Sequence, residues 1–255
     1  MSGLSGKRVV LTGAGGGLGR ALGAALADAG ARIVACDLEG PELDGPGVIA
    51  RHRFDMRDAA AVDAAAGAIL AEGAPDVFVS NAGWTRAETL DGTDDAAMAE
   101  EMRLNFGAPA HLARRFAPRM RGRGGAMVFV SSVNAVSHFG NPPYSAAKAA
   151  LMAFMRAIAV EEGRHGLRAN AVVPASIRTH AWDHRLTADP GVLDRVERLY
   201  PLGRIVTPEE VANAVLFLAS PLASGITGTA LTVDGGISAG NLPFIEAITG
   251  AARLR

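Results

Sequence analysis

Cysteine is nearly absent: Cys36 is the one thiol in 255 residues. A single cysteine forms no internal disulfide, and nothing else in the chain calls for an oxidising compartment, so a reduced cytoplasm is the expected location. The chain also lacks an excess of either charge, with 25 basic and 26 acidic side chains interspersed and a net charge of −1. That excludes the basic face on which nucleic-acid binding depends and leaves small-molecule chemistry as the default. No uninterrupted apolar run reaches the roughly 18 residues of a membrane-spanning helix. From Met1 to Lys7 the chain passes straight toward a strand-like run, without the charged and apolar regions of a signal peptide. Internal repeats, low-complexity tracts and composition shifts are missing too. Residues 1–255 are therefore read as a single domain, with 49% hydrophobic residues to build its core.

Lysine is almost as scarce as cysteine. Lys7 and Lys148 are two of 25 basic residues, and Lys148 follows Tyr144, one of two tyrosines, by four positions. Residues at i and i+4 share a helix face, which sets the ammonium beside the phenol. A free phenol has a pKa of about 10, too high for a base at neutral pH, and a neighbouring cation favours its ionised form. The ammonium keeps further donors for a ribose. By itself the pair is equally compatible with an incidental helix surface, and the rest of the chain decides.

Short β-branched runs alternate with alanine-rich stretches in the β-α-β pattern of a parallel sheet covered on both faces. Strands are expected at 8–12, 32–36, 48–54, 76–80, 126–131, 168–173 and 230–233, with seven in the main sheet. Helices are expected at 18–29, 58–72, 94–120 with interruptions near Pro109 and Pro118, 143–163 and 208–220. The last of these starts on Thr207, Pro208, Glu209 and Glu210, a cap, a first-turn proline and acids at the positive dipole end. Residues 175–206 lack a clear period and are read as a substrate loop, because long irregular segments in compact domains usually serve as lids or binding loops. A tail at 237–255, with Leu242, Phe244, Ile245 and Ile248, is expected to pack on another subunit.

After the first strand the chain reads Thr12-Gly13-Ala14-Gly15-Gly16-Gly17-Leu18-Gly19 and enters a helix. Glycine lets backbone approach a ligand, and a helix N-terminus offers free N–H donors and positive dipole to a pyrophosphate. The spacing Gly13-x-x-x-Gly17-x-Gly19 differs from the G-x-G-x-x-G of most dinucleotide folds, and a glycine cluster alone is weak evidence. Its context strengthens it: twenty residues beyond Gly17, at the end of the second strand, Asp37 can accept hydrogen bonds from both ribose hydroxyls of an adenosine. The same charge would repel a 2′-phosphate, and neither Gly16 nor Leu38 supplies a compensating cation, so NAD is preferred over NADP. Cys36, one residue before this acid, reads as a small buried hydrophobe.

Thr12 to Gly19, Asp37, Asn81-Ala82-Gly83, Asn105, Ser132 and Tyr144-x-x-x-Lys148 together resemble the short-chain dehydrogenase/reductase family in its classical subtype, over nearly the whole chain from Gly6 to about Gly236. The resemblance implies one doubly wound, Rossmann-like α/β domain with a seven-stranded parallel sheet, an NAD(P) cofactor and a homotetramer. Position by position, it places Gly13, Gly16, Gly17, Leu18 and Gly19 at the phosphates, Asp55 and Met56 beside the adenine, and Asn81, Ala82 and Gly83 near the adenosine ribose. Pro174, Ile177 and Thr179 fall at the nicotinamide, Thr179 at its carboxamide. Tyr144 becomes the base, Lys148 the ligand of the nicotinamide ribose, Ser132 the binder of the reacting oxygen and Asn105 the holder of a water in the proton relay. Ser132 is chosen over Ser131 because a small apolar residue, Val133, follows it. Two departures stand out. The Ser132-to-Tyr144 interval is one residue shorter than the commonest family spacing, which puts the loop's substrate contacts in question. Ala175 replaces the usual glycine, which does the same for the backbone beside the nicotinamide. Val233-Asp234-Gly235-Gly236 matches the usual end of the fold and is given a structural role.

These residues imply NAD-dependent interconversion of a secondary alcohol and a ketone, with Tyr144 as general base and hydride chemistry supplied by the cofactor. Burial would raise the Tyr144 pKa, and Lys148 with the positive nicotinamide is expected to outweigh it if both are close. Enoyl reductases generally space Tyr and Lys seven apart, and Leu151 stands there instead. A 3-oxoacyl-thioester reductase shares the four residues, but its usual NADPH conflicts with Asp37. A non-catalytic dinucleotide sensor or scaffold commonly loses Tyr or Lys, and both are present. The six histidines show no ligand spacing, and His180 with His184 lack a third ligand, so no metal is expected. Substrate contacts are expected from Trp84, Asn134, His138, Arg178 and Trp182, alongside His180, His184 and Arg185. Polar groups with two tryptophans suit a sugar, polyol or cyclic alcohol, while Arg178 is an alternative partner for a carboxylate.

Overall fold

The computed structural model describes residues 3–38, 44–85 and 89–250. Successive side chains of a strand point to opposite faces, so a run that is apolar throughout must be covered on both. Such runs form β1 (Arg8–Thr12), β2 (Arg32–Asp37), β4 (Val77–Ser80), β5 (Ala126–Val130) and β6 (Arg168–Pro174), with β3 (Val48–Arg53) and β7 (Ala230–Val233) at the edges. The seven strands are all parallel in the order β3-β2-β1-β4-β5-β6-β7, with Val10 opposite Val34 on one side and Phe78 on the other. Edge strand β3 alternates half-buried and exposed positions, as its one open side requires.

Nine helices among the described residues complete the fold: α1 (Gly17–Asp28), α2 (Ala59–Glu72), α3 (Asp95–Met102), α4 (Ala108–Met120), α5 (Pro142–Glu162), α6 (Asp183–Ala188), α7 (Val192–Glu197), α8 (Pro208–Ala219) and α9 (Leu242–Thr249). Helices α2, α4 and α5 cover one face, where Phe78, Phe116 and Phe129 are wholly buried with Val10 and Val34. Helices α1 and α8 cover the other, packing Leu22, Leu26, Val211 and Val215 on Val9 and Leu11. This is the doubly wound, Rossmann-like α/β domain expected. The Asp58 side chain accepts from the N–H groups of Ala60 and Ala61 to start α2. The Thr207 hydroxyl and Glu210 carboxylate reciprocally cap α8, as their spacing predicts.

Three expectations are corrected. Strand ends move by a residue: β2 includes Asp37, β4 starts at Val77, and β5 ends at Val130. The helical run across 94–120 is not broken at its prolines. Pro109 sits in the first turn of α4, and Pro118 lies inside the last turn. The irregularity falls ahead of them, in a π-helical turn at Arg103–Gly107. Pro109 has no N–H to give to the carbonyl of Asn105 four residues back, and the wider turn absorbs that mismatch. The stretch 175–206, aperiodic in sequence, contains a 3-10 turn at His180–Trp182 together with α6 and α7. Elements this short display no period. They close over a small core of their own, Trp182, Tyr200 and Ile205. No helix among the described residues is long and apolar enough to cross a membrane.

The Phe116 ring meets the edge of Phe78 at a centroid distance of 5.2 Å and an interplanar angle of 81°. Truncating it leaves a cavity that this rigid sheet cannot collapse, so Phe116→Ala is expected to lower the unfolding free energy by about 3–5 kcal/mol. A urea titration showing less than about 1 kcal/mol would contradict this packing.

Candidate active site

Strand order reverses between β1 and β4, and an open parallel sheet parts there at its carboxyl end. A cleft of about 890 Å³ lies at this point. Its floor is the β1–α1 turn. Gly13 has a φ of +66°, and a Cβ on it would stand 2.8 Å from Ala82 Cα. A Cβ on Gly19 would stand 1.8 Å from the Gly13 oxygen, and one on Gly17 would strike Thr179 Cβ at 2.8 Å. Helix α1 begins on Gly16 with no side-chain cap and no acid in its first turn. Its free amides and positive dipole end therefore face the cleft, which also borders Gly16, Leu18 and Gly19. These features fit a pyrophosphate.

Asn81 braces the turn. Its Nδ2 donates to the carbonyls of Thr12 and Gly13 at 3.1 and 3.0 Å, while Thr12 Oγ1 accepts from the N–H groups of Asn81 and Ala82. Asp37 reaches the rim with Oδ2 accepting from Gly15 N–H and Oδ1 from Leu38 N–H, both at 2.7 Å. Asp55, Met56, Ala82 and Gly83 line the same side. Arg57 also lines it, with its guanidinium bound to Asp55 and Glu100. That pairing holds the Asp55 carboxyl below its ordinary range. Cys36 is buried, and burial pushes its thiol up to about 12, which leaves it inert.

The same cleft also brings together the expected hydroxyl, phenol and ammonium. Ser132, Tyr144, Lys148, Pro174, Ala175, Ile177, Thr179, Trp84 and Trp182 border it. Lys148 is buried, its Nζ 5.5 Å from the centre of the Tyr144 ring and donating to Val130 O at 2.9 Å. Ser131 turns its hydroxyl into α5, toward Lys148 O, whereas the Ser132 hydroxyl donates to Asn134 Oδ1 at 3.3 Å. Burial pushes the Tyr144 phenol up to about 12, opposed by Ser132 and reinforced by the charge of Glu101. Burial likewise brings Lys148 down to about 8, with Glu101 opposing. The protein's own groups thus leave the phenol protonated at neutral pH, so Lys148 by itself does not outweigh burial.

Asn105 lies behind this wall, fully buried on the π turn. Its Nδ2 donates to Trp84 O at 3.0 Å and to Glu101 Oε2 at 2.6 Å. Among the described residues its Oδ1 has no hydrogen-bond partner, and it points at Gly83, where an added Cβ would lie 2.9 Å from that oxygen and 3.2 Å from Lys148 Nζ. Sequence reasoning missed Glu101 and Asn141. Glu101 follows Glu100 and reads as a solvated acidic pair, yet it is buried. Asn141, a left-handed residue with φ 51°, caps α5 by accepting from Tyr144 N–H at 3.2 Å, and its Nδ2 donates to Glu101 Oε1 and Thr85 Oγ1. The triplet Asn141-Pro142-Pro143 carried a cap signal for it.

Three of the expected substrate contacts are not among the residues that line the cleft. Asn134 is occupied within its own loop, its Nδ2 donating to Gly140 O and Ser145 Oγ and its Oδ1 accepting from Ser132 Oγ. His138 and Arg178 are exposed and do not border the cleft. The side chains of His184 and Arg185 lie outside the described residues. Ala175 needs no positive φ, since the non-glycine residue with one among the described residues is Asn141.

The glycine turn, the acid at the end of β2 and the Ser-Tyr-Lys group at one cleft define a dehydrogenase class, and comparison with known proteins agrees. Over residues 13–238 the chain matches the family model described as Enoyl-(Acyl carrier protein) reductase, and it belongs to the short-chain dehydrogenase/reductase family. It is an NAD(P)-dependent oxidoreductase acting on CH–OH groups and interconverting a secondary alcohol and a ketone. Galactitol 2-dehydrogenase (L-tagatose-forming) of Cereibacter sphaeroides is 36% identical, over 91% of this chain and 95% of that one. D-threitol dehydrogenase of Mycolicibacterium smegmatis is also 36% identical, over 91% and 93%. Among solved structures, L-sorbose reductase from Gluconobacter frateurii complexed with NADPH and L-sorbose is 33% identical over 93% and 98%, with a TM-score of 0.86. The seventh residue after Tyr144 is the buried Leu151, not the lysine of an enoyl reductase.

Two outcomes are expected. Gly19→Ala destabilises the turn by about 1–3 kcal/mol and removes measurable dinucleotide binding, followed as quenching of Trp84 and Trp182; wild-type affinity would contradict the close approach. A difference titration of tyrosinate absorbance between the cofactor-free protein and Tyr144→Phe should place this phenol near 12. Because folding favours its protonated form, its contribution to stability is present below about 10 and is lost as pH rises toward the folded value. A midpoint at or below about 10 would contradict the burial argument.

Proposed function

We propose that this protein uses NAD to oxidise a secondary alcohol of a sugar, polyol or cyclic alcohol to the ketone, as a cytoplasmic homotetramer with one domain per chain. The observation that carries the reading is the meeting of Ser132, Tyr144 and Lys148 in the same cleft that Asp37 lines. Bound nicotinamide supplies the hydride acceptor and a positive ring. Tyr144 takes the hydroxyl proton, Ser132 holds the same oxygen, and Lys148 binds the ribose and favours the phenolate. Asn105 presents its buried oxygen to the relay that carries the proton onward. Trp84, Trp182 and Thr85 on the cleft wall provide apolar faces and a hydroxyl for a carbohydrate-like substrate. The named relatives act on polyols or sugars, which favours that class.

The preference for NAD rests on Asp37. Two backbone amides hold its carboxylate at the rim, where a 2′-phosphate would meet fixed negative charge. Arg57, which could have offset that charge, is engaged by Asp55 and Glu100. L-sorbose reductase is complexed with NADPH, so the preference is argued from this chain's own residues.

Assays with NAD and NADP across polyols, sugars, cyclic alcohols and acetoacetyl thioesters decide between the classes. Turnover is expected with NAD and a polyol or sugar; a strong NADP preference would overturn the Asp37 argument. Asp37→Ala is expected to raise KM for NAD by at least about tenfold and to lower that for NADP. Tyr144→Phe should lose about 10²–10⁴ in kcat, and near-normal turnover in the folded variant would remove Tyr144 as the base.

A further inference from the structure

Two backbone groups determine which end of each amide faces Glu101. Trp84 O is an acceptor and takes an N–H of Asn105, so the amide nitrogen of Asn105 must lie on that side, where it also reaches Glu101 Oε2 at 2.6 Å. Tyr144 N–H is a donor and takes Asn141 Oδ1, so Asn141 turns its nitrogen to Glu101 Oε1 at 3.2 Å. Both oxygens of Glu101 therefore meet donors, a demand that an ionised carboxylate satisfies and an amide of the same shape does not. With both protons of its nitrogen engaged, Asn105 can direct only its Oδ1 toward Gly83 and Lys148. Asn141 at the same time fixes the first turn of the helix that carries Tyr144 and Lys148.

From this geometry we infer that Glu101 is a positioning residue for hydride transfer: its carboxylate holds the Asn105 amide and the Asn141 cap of α5 in register, so that the relay oxygen faces Lys148 on the helix that carries the base. The inference rests on the roles proposed above for Asn105, Tyr144 and Lys148. It assigns Glu101 no contact with substrate or cofactor, since it does not border the cleft.

Glu101→Gln tests it with the full-length protein. One oxygen of the carboxylate becomes an NH2 group, so either Asn105 must leave Trp84 O or Asn141 must leave Tyr144 N–H. Expected is a fall of about tenfold in kcat per NADH-binding site, with the NADH Kd from tryptophan quenching and KM for NAD within about twofold of wild type. Because Glu101 acts in part through Asn105, the double variant with Asn105→Ala should be slower than Asn105→Ala by much less than that factor. A crystal structure of the cofactor-free Gln variant should show one of the two amides turned. Wild-type kcat in the folded variant, or a full tenfold loss retained on top of Asn105→Ala, would overturn the inference. If the Gln variant does not fold, Glu101→Asp takes the same measurements, because its shorter arm cannot span both amides; wild-type kcat there overturns the inference equally. Failure of the underlying reading is recognised separately, by Tyr144→Phe remaining active, and the amide orientation in the crystal still decides the role of Glu101.

Discussion

The approach of Gly19 to Gly13 is the contact on which the site depends. A side chain at position 19 would occupy the place of the Gly13 carbonyl, so β1 can turn directly into α1 only with glycine there. That tight passage brings the first amides of α1, uncapped by any side chain, to the mouth of the crevice between β1 and β4. Asn81 then ties the end of β4 to the same turn through the carbonyls of Thr12 and Gly13. The two central strands and the phosphate-facing turn are thereby one rigid piece. Asp37 joins it through Gly15 N–H, which couples the position of the turn to a carboxylate at the rim of the cleft.

A second constraint follows from burying charge beside an apolar sheet. Lys148 and Glu101 are both buried at the carboxyl end of the sheet, each near the Tyr144 phenol. Burial moves the phenol up and the ammonium down, the directions expected when ionised forms lose water. In the proposed reaction this has a functional consequence. A phenol held neutral by the protein becomes a base when a positive ring arrives beside it, so proton abstraction is tied to the presence of the oxidised cofactor. Glu101 opposes ionisation of Tyr144 and favours ionisation of Lys148, and it sets the amides of Asn105 and Asn141. Its electrostatic and its positional effects therefore pull differently on the base, and the amide geometry is the one that requires a carboxylate.

The periodic parts of this chain were legible in advance. Strand positions came from β-branched runs, the start of α8 from the Thr207 cap, and the glycine turn from its place between a strand and a helix. The parts that were not legible share a physical cause. The π turn at Arg103–Gly107 lies where Pro109 has no donor for the Asn105 carbonyl, a placement visible only once helix continuity through the prolines is known. The segment 175–206 has helices too short to show a period, and it is held by packing of Trp182 on Tyr200 and Ile205. Asn134, His138 and Arg178 were chosen by their chemistry and nearness in sequence, but side-chain direction depends on loop hydrogen bonds, such as those from Asn134 to Gly140 and Ser145.

Sequence by itself determined the class of this protein: a parallel α/β sheet, a glycine turn between a strand and a helix, an acid at the end of the second strand, and a tyrosine and lysine one helical turn apart. Those features are local, because each depends on spacing within one element or across one turn. Tertiary structure alone decided which residues complete the reactive cluster. Glu101, Asn105 and Asn141 come from the end of α3, a π turn and the cap of α5, and they meet at Trp84 and Tyr144 only when the helices dock. The reason is that a buried polar atom must find its partner where the packed chain places one, and no spacing along the sequence specifies that place.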